Sequence, residues 1–224
     1  MIRPLRPDDA AAVGQIAFET GFFGHSAAPY FPDEALFADL WVGPYFRGGA
    51  GNFVAEVDGV VRGYVLGSPD PGLYRLALQA DLLEGVLPHW PRYRRALGAV
   101  PYLLRALLFP TPHADWRTYP AHLHINLLPQ ARGLHLGEGL LRSHLAALRS
   151  LGVPGVQLST TTENQAALGL YRKLGFVRLA EQVTPLWTPW LGHPARHVIM
   201  GRRLSGPGQE TATPGQKEEA APPD

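Results

Sequence analysis

Two adjoining stretches of this chain carry the residue types that chemistry needs. The first is Pro129-Gln-Ala-Arg132-Gly133-Leu134-His135-Leu136-Gly137-Glu138-Gly139. It lies between an alternating, strand-like run and a helical pattern. A glycine-rich turn at such a junction aims several backbone N–H groups at one point, and the helix dipole adds partial positive charge. Arg132 can add a full charge, so a diphosphate is the natural ligand. A short glycine pattern alone fits a tight strand-to-helix turn equally well. The nucleotide alternatives fit poorly, because the chain has neither a GxxxxGK[ST] nor an N-terminal GxGxxG.

The second stretch is the run before it, Ala121-His-Leu-His-Ile-Asn-Leu-Leu128. Side chains alternate in a strand, so His122, His124 and Asn126 share one face and Leu123, Ile125 and Leu127 the other. A central strand covered on both faces should be apolar on both. A polar row there implies a polar cavity beside the sheet. Imidazole accepts a proton near neutral pH, directly or through water, and His124, nearer the loop, is the first choice as base with His122 second. Two structural histidines satisfied in a crowded interior explain the same pattern. A metal site is not expected, because no third ligand is evident nearby.

The elements that must position these stretches are legible in order. Ile2 to Leu5 reads as a short strand. Ala10 to Glu19 is a helix, and Asp33 to Trp41 a second one capped by Asp33. Asn52 to Val57 and Val60 to Gly67 form a hairpin around Asp58-Gly59. The helix after the glycine loop runs from about Leu134 to Leu151, with apolar positions at 136, 140, 141, 145 and 148. Then come a buried strand from Val156 to Ser159, a helix from Asn164 to Leu174, and strands Phe176 to Val183 and Arg196 to Arg203. This order predicts an α/β (α+β) domain over 1–204: a mixed, mostly antiparallel sheet of six to seven strands with helices on both faces.

Residues 70–120 exceed an ordinary connection and are expected to form a helical insertion that lids an acceptor site. They hold arginines beside aromatics, among them Trp90, Arg92, Tyr93, Arg94, Arg95, Tyr102, Arg105, Trp116, Arg117 and Tyr119. These suit either an anionic ligand or an ordinary solvated face, and the face is preferred. Trp187, Trp190 and His193, in the loop 184–195, border the same groove. The tail 205–224 is expected to be disordered. A formal charge of +1 argues against nucleic acid as a partner, and the absence of cysteine excludes thiolate chemistry and disulfides. Without an apolar leader or a membrane-length run, the chain reads as soluble and cytoplasmic, with no membrane partner. A homodimer is left open.

The loop resembles the acetyl-CoA signature of the GNAT acyltransferases, Q/R-x-x-G-x-G/A, with Arg132 at its first position and Gly137 at its last. Thr162-Glu163-Asn164 through Ala167, Leu170, Tyr171, Leu174, Gly175 and Phe176 resembles the family's N-x-x-A-x-x-x-Y-x-x-x-G-F block. The Ala-His-Leu-His pattern is similar to the paired histidines of arylalkylamine N-acetyltransferases. The resemblance covers 121–203 well and 1–67 weakly. It implies a GNAT fold and an N-acetyltransferase that moves an acetyl group from acetyl-CoA to the primary amine of a small molecule. Alternatives are a protein or peptide acceptor, or a module that binds acyl-CoA without turnover. It further implies that main chain from Leu127 through Leu128 to Pro129 pairs with the cofactor's pantetheine arm and that the Leu127 N–H stabilises the acyl oxygen. Arg132, Gly133, Leu134, His135, Gly137 and Glu138 then hold the diphosphate, Asn164 contacts the cofactor arm, and Tyr171 protonates the leaving thiolate. His135 stands where the family has its central glycine. A left-handed backbone there costs stability, whereas a helical one keeps the N–H in use.

Overall fold

A computed structural model describes residues 1–204. The expected disordered tail, 205–224, lies outside the described residues. Seven strands form one sheet in the order β1-β2-β3-β4-β5-β7-β6: β1 Ile2–Pro4, β2 Phe53–Val57, β3 Val60–Ser68, β4 Ala121–Leu127, β5 Gly155–Thr161, β6 Val177–Thr184 and β7 Ala195–Arg203. Only β4 and β5 run parallel; every other pair is antiparallel. The Asp58-Gly59 turn has φ of 52° and 75°, the left-handed pair that a two-residue hairpin requires.

Eight α-helices cover the sheet: α1 Ala10–Thr20, α2 Glu34–Trp41, α3 Gly43–Gly48, α4 Pro71–Ala80, α5 Ala96–Leu108, α6 Leu136–Ser150, α7 Gln165–Lys173 and α8 Thr188–Leu191. The sheet separates two apolar cores. Tyr64 and Leu66 of β3 face the core built with α1, α2, α3 and α5, while Val65 faces the one built with α6 and α7. That is why β3 is apolar on both sides. The Asp33 carboxylate caps α2 at Leu36 N (3.0 Å) and also accepts from Arg95 N (2.8 Å), tying the insertion to the first core.

Sequence reasoning missed α3, α8 and the π-helical turn Asp81–Val86, which continues α4. Each is short or irregular, and its pattern is set by what it packs against. The insertion is helical as expected, and α5 tolerates Pro101 inside its apolar run. Among the described residues, no helix is long and apolar enough to cross a membrane.

Candidate functional site

The sheet opens at its one parallel pair. β4 and β5 are paired only at Ala121–Val156 and His122–Gln157 and then diverge. On its other side β4 stays paired with β3 along its length. Leu128 N–H donates to Arg62 O (2.9 Å) across that side. In an antiparallel ladder successive residues point their backbone groups to opposite edges. Leu127 and Ile125 therefore direct N–H and C=O into the gap. Arg132 Nε donates to Leu127 O (3.4 Å), which confirms that this carbonyl faces outward. Leu128, expected to pair with the cofactor arm, is committed elsewhere: its N–H is in the ladder, its C=O accepts from Ala131 N (2.9 Å), and its side chain is in the core.

The loop after β4 turns through two left-handed residues. Gly133 has φ 79° and His135 φ 55°. The first α6 N–H that bonds backward is Gly139, to His135 O (3.2 Å). The N–H groups of Gly133, Leu134, His135, Leu136, Gly137 and Glu138 make no hydrogen bond among the described residues. They are the orphan donors of a helix start, on an exposed loop. A Cβ at Gly137 would stand 3.2 Å from Leu170 and 3.3 Å from Leu127, so this glycine lets α6 sit close to β4 and α7. The Glu138 side chain points away from this turn, pairing with Lys173 (2.6 Å) and Arg142 (2.8 Å), and these cations lower its carboxyl to about 2. Only its N–H belongs to the loop. Arg132 Nη2 donates to Gly24 O (2.8 Å), so its guanidinium bridges the cleft mouth from β4 to the loop after α1.

His135 is left-handed, the costlier of the two conformations open to it. Histidine is among the residues that visit this region more readily than most. Replacing His135 by glycine is expected to stabilise the fold by about 0.5–1 kcal/mol in urea denaturation. A loss of stability would show instead that the imidazole makes a contact of its own.

Three adjoining compartments follow the gap. The outermost, about 200 Å³, is walled by Ile125, Leu127, Arg132, Asn164, Leu170 and Tyr171. Asn164 caps α7 at Ala167 N (3.3 Å). Tyr171 is buried, and burial pushes its phenol well above the usual value, so it stays protonated. A middle compartment of about 250 Å³ is reached past Asn126 and Asn164 and includes Tyr64, His124, Thr161, Trp187 and His197. The third, about 560 Å³, adds Tyr45, Tyr74, Arg75, Trp116 and His122. His124 lines both the middle and the third compartments.

The polar row of β4 faces α1 and α3 as its alternation predicts. Asn126 Nδ2 donates to Thr20 Oγ1 (2.7 Å), and that hydroxyl donates to Ile16 O (2.6 Å). His122 Nε2 lies 3.0 Å from the Tyr45 hydroxyl, while its buried Nδ1 has no partner. His124 packs edge-on to Tyr45, with ring centroids 5.6 Å apart. Desolvation lowers His122 to about 3, helped by its neighbours His124 and His144, and lowers His124 to about 4. His124 is enclosed by protein yet open to the cleft; no carboxylate faces it, so the direction is downward, while cleft water limits the extent. Both rings are neutral at pH 7. Among the described residues, no group of three His, Asp or Glu side chains is arranged to hold a metal ion.

The insertion contributes Tyr102 and Thr111 to the middle compartment, and Tyr74, Arg75 and Trp116 to the third. Most of its arginines do not reach these walls. Arg92 pairs with Asp39, Arg94 and Arg95 line a separate surface hollow, and Arg105 donates to Leu186 O (2.8 Å) and to Pro185 O, fastening α5 to the loop between β6 and β7. From that loop Trp187 reaches the middle compartment, Trp190 packs against Tyr30 and Tyr102, and His193 is exposed. No local pattern marks Thr20, Tyr45, Thr161 or His197 as wall residues. Their places follow from strand register and from helix packing between distant segments.

Residues 104–176 match the family model described as the acetyltransferase (GNAT) family. A mycothiol acetyltransferase of Paenarthrobacter aurescens is 41% identical over 54 residues, which cover 24% of this chain and 17% of that protein. The match thus spans about a sixth of the length of that relative. The crystal structure of SsHAT is similar over 92% of this chain and 98% of its own, with 27% identity and a TM-score of 0.62. The structure of yncA from Salmonella typhimurium with its cofactor acetyl-CoA aligns over 95% of this chain and 98% of its own, at 18% identity and a TM-score of 0.58.

Proposed function

We propose that this chain, a member of the GNAT acetyltransferase family, is an N-acetyltransferase that carries an acetyl group from acetyl-CoA to the primary amine of a small molecule. The observation that carries this reading is the gap between β4 and β5. It joins free backbone groups at Ile125 and Leu127 and the N–H nest at Gly133–Glu138 to a compartment lined by His124.

The residues fit the cofactor in kind. The nest and helix start suit a diphosphate, the free edge of β4 suits the amides of a pantetheine arm, and Asn164 and Tyr171 stand on the opposite wall. When bound, acetyl-CoA supplies a thioester at which the amine nitrogen forms the N–C bond as the C–S bond breaks, one proton leaving nitrogen and one reaching sulfur. With acetyl-CoA bound, the Leu127 N–H would donate toward the acyl oxygen as charge develops on it. Tyr171, protonated and buried, would give the sulfur its proton. His124, neutral at pH 7, takes the proton from nitrogen directly or through cleft water. His122, held at Tyr45, sets the depth of the cleft and keeps its ring neutral beside His124. The insertion acts as the lid of the acceptor compartments, through Tyr74, Tyr102, Thr111 and Trp116.

Acetyl-CoA at about a hundred times its Kd is expected to raise the unfolding midpoint by roughly 5–10 °C. Thiol release across a panel of primary amines then measures turnover. Failure of acetyl-CoA to stabilise the protein at any concentration would remove this reading.

A further inference from the structure

The middle compartment contains hydrogen-bonding groups that the acetyl-transfer chemistry does not use. Thr161 on β5 and His197 on β7 face each other in the strand register and are 4% and 2% exposed. Trp187, from the loop between β6 and β7, packs edge-on to His197 with ring centroids 5.0 Å apart. Thr161 Oγ1, Trp187 Nε1 and His197 Nδ1 are all buried, and none has a hydrogen-bond partner among the described residues. All three residues line the compartment that His124 also lines. One buried orphan is an ordinary exception; three such atoms on residues that line one compartment are polar groups that a hydrogen-bonding ligand entering there could satisfy.

The chemistry of the wall narrows what that is. Trp187 Nε1 only donates, Thr161 Oγ1 donates and accepts, and a neutral imidazole nitrogen does one or the other. His197 is neutral at pH 7, since burial lowers it to about 4. A hydroxyl, which both accepts and donates, can satisfy all of them. A carboxylate or phosphate would be desolvated without compensation, because no Asp, Glu, Lys or Arg lines this compartment. Its other walls include Tyr30, Tyr64 and Tyr102, flat faces for C–H groups to lie against.

We propose that Thr161, Trp187 and His197 form a specificity subsite that binds a hydroxyl group of the acceptor, so that the preferred substrate is a hydroxylated amine, such as an amino alcohol or amino sugar. The subsite rests on the N-acetyltransferase reading for its substrate, but not for its existence. With acetyl-CoA as donor, kcat/KM is measured for ethanolamine and glucosamine against glycine and ethylamine. Hydroxylated amines are expected to lead by about tenfold, the effect of one otherwise unpaired buried hydrogen bond. Trp187→Phe and Thr161→Val should each lower kcat/KM far more for the hydroxylated amines than for ethylamine. A preference for glycine or ethylamine, or an undiminished hydroxyl advantage in both variants, overturns the subsite. Should acetyl-CoA bind but no amine be acetylated, the transfer reading falls, and calorimetric titration of the enzyme–CoA complex with glucosamine decides the subsite. Binding that Trp187→Phe abolishes supports it, and no binding to the native protein rejects it.

Discussion

Replacing His124 with alanine is expected to lower kcat by about 10²–10³-fold at pH 7 and by much less near pH 10. The difference between the two pH values is the diagnostic part. A free alkylamine has a pKa of about 10, so at pH 7 nearly all of it is protonated and cannot attack. Near pH 10 about half is free, in wild type and variant alike, and hydroxide, about a thousandfold more abundant than at pH 7, can replace the missing base. Desolvation shifts His124 downward, so the ring is neutral at pH 7. Its titration therefore adds no inflection near 6.5, and the rise of activity with pH follows the amine. A ring this weakly basic is a poor acceptor from a free ammonium ion. It becomes adequate once the nitrogen has begun to bond to the acyl carbon, which acidifies the remaining N–H. Equal losses at pH 7 and pH 10 would remove His124 as base and leave it a wall of the cleft. Cofactor-induced stabilisation of the variant, measured in parallel, separates a chemical defect from a misfolded one.

Acidification from pH 6.5 to 4 is expected to destabilise the fold by several kcal/mol, with His144 a principal cause. His144 on α6 is fully buried; its Nδ1 lies 2.5 Å from Gly51 O and its Nε2 has no partner. β3 comes so near that a Cβ on Gly67 would stand 2.5 Å from the ring. Desolvation lowers His144 to about 4, outweighing the favourable Gly51 carbonyl. In the unfolded chain the ring titrates near 6.5. Between these values the unfolded state holds the extra proton, so stability rises with pH across this window and is lost as pH falls. The slope is about 1.4 kcal/mol per pH unit for each such group, saturating near 3 kcal/mol for this one. His122 adds to it in the same direction. Urea denaturation at steps between pH 7 and 4 measures the slope. His144→Asn, whose amide matches the ring's Nδ1 and keeps a donor for Gly51 O without a titrating ring, should flatten it by about one proton's worth. An unchanged slope would show that His144 is not the group taking up the proton.

How much was legible beforehand differs by level. The strands and the main helices were readable because their signals are local. The β4 alternation, the Asp58-Gly59 turn, the Asp33 and Asn164 caps and the apolar stripe of α6 each depend on a few neighbouring residues. The Asn164–Tyr171 block and the loop from Arg132 to Gly137 meet at the cleft, where Arg132, Asn164 and Tyr171 line one compartment, although α6 and β5 separate them in the chain. His135 marks the limit of this reasoning. Its departure from the glycine pattern was visible, but its φ of 55° was decided by how α6 docks on β4 and α7 through Gly137.

Residue types and spacing thus determined the element order, the polar face of β4 and the loop that starts α6, because each is governed by interactions within a few residues. Only the tertiary structure decided where the sheet opens and which atoms face the opening. The early end of the β4–β5 pairing, the turn of Arg132 toward Gly24, the commitment of Leu128 to β3, and the meeting of Thr161, Trp187 and His197 all join segments far apart in the chain. Contacts of that kind are selected by the packing of two cores on a twisted sheet, and no local pattern encodes them.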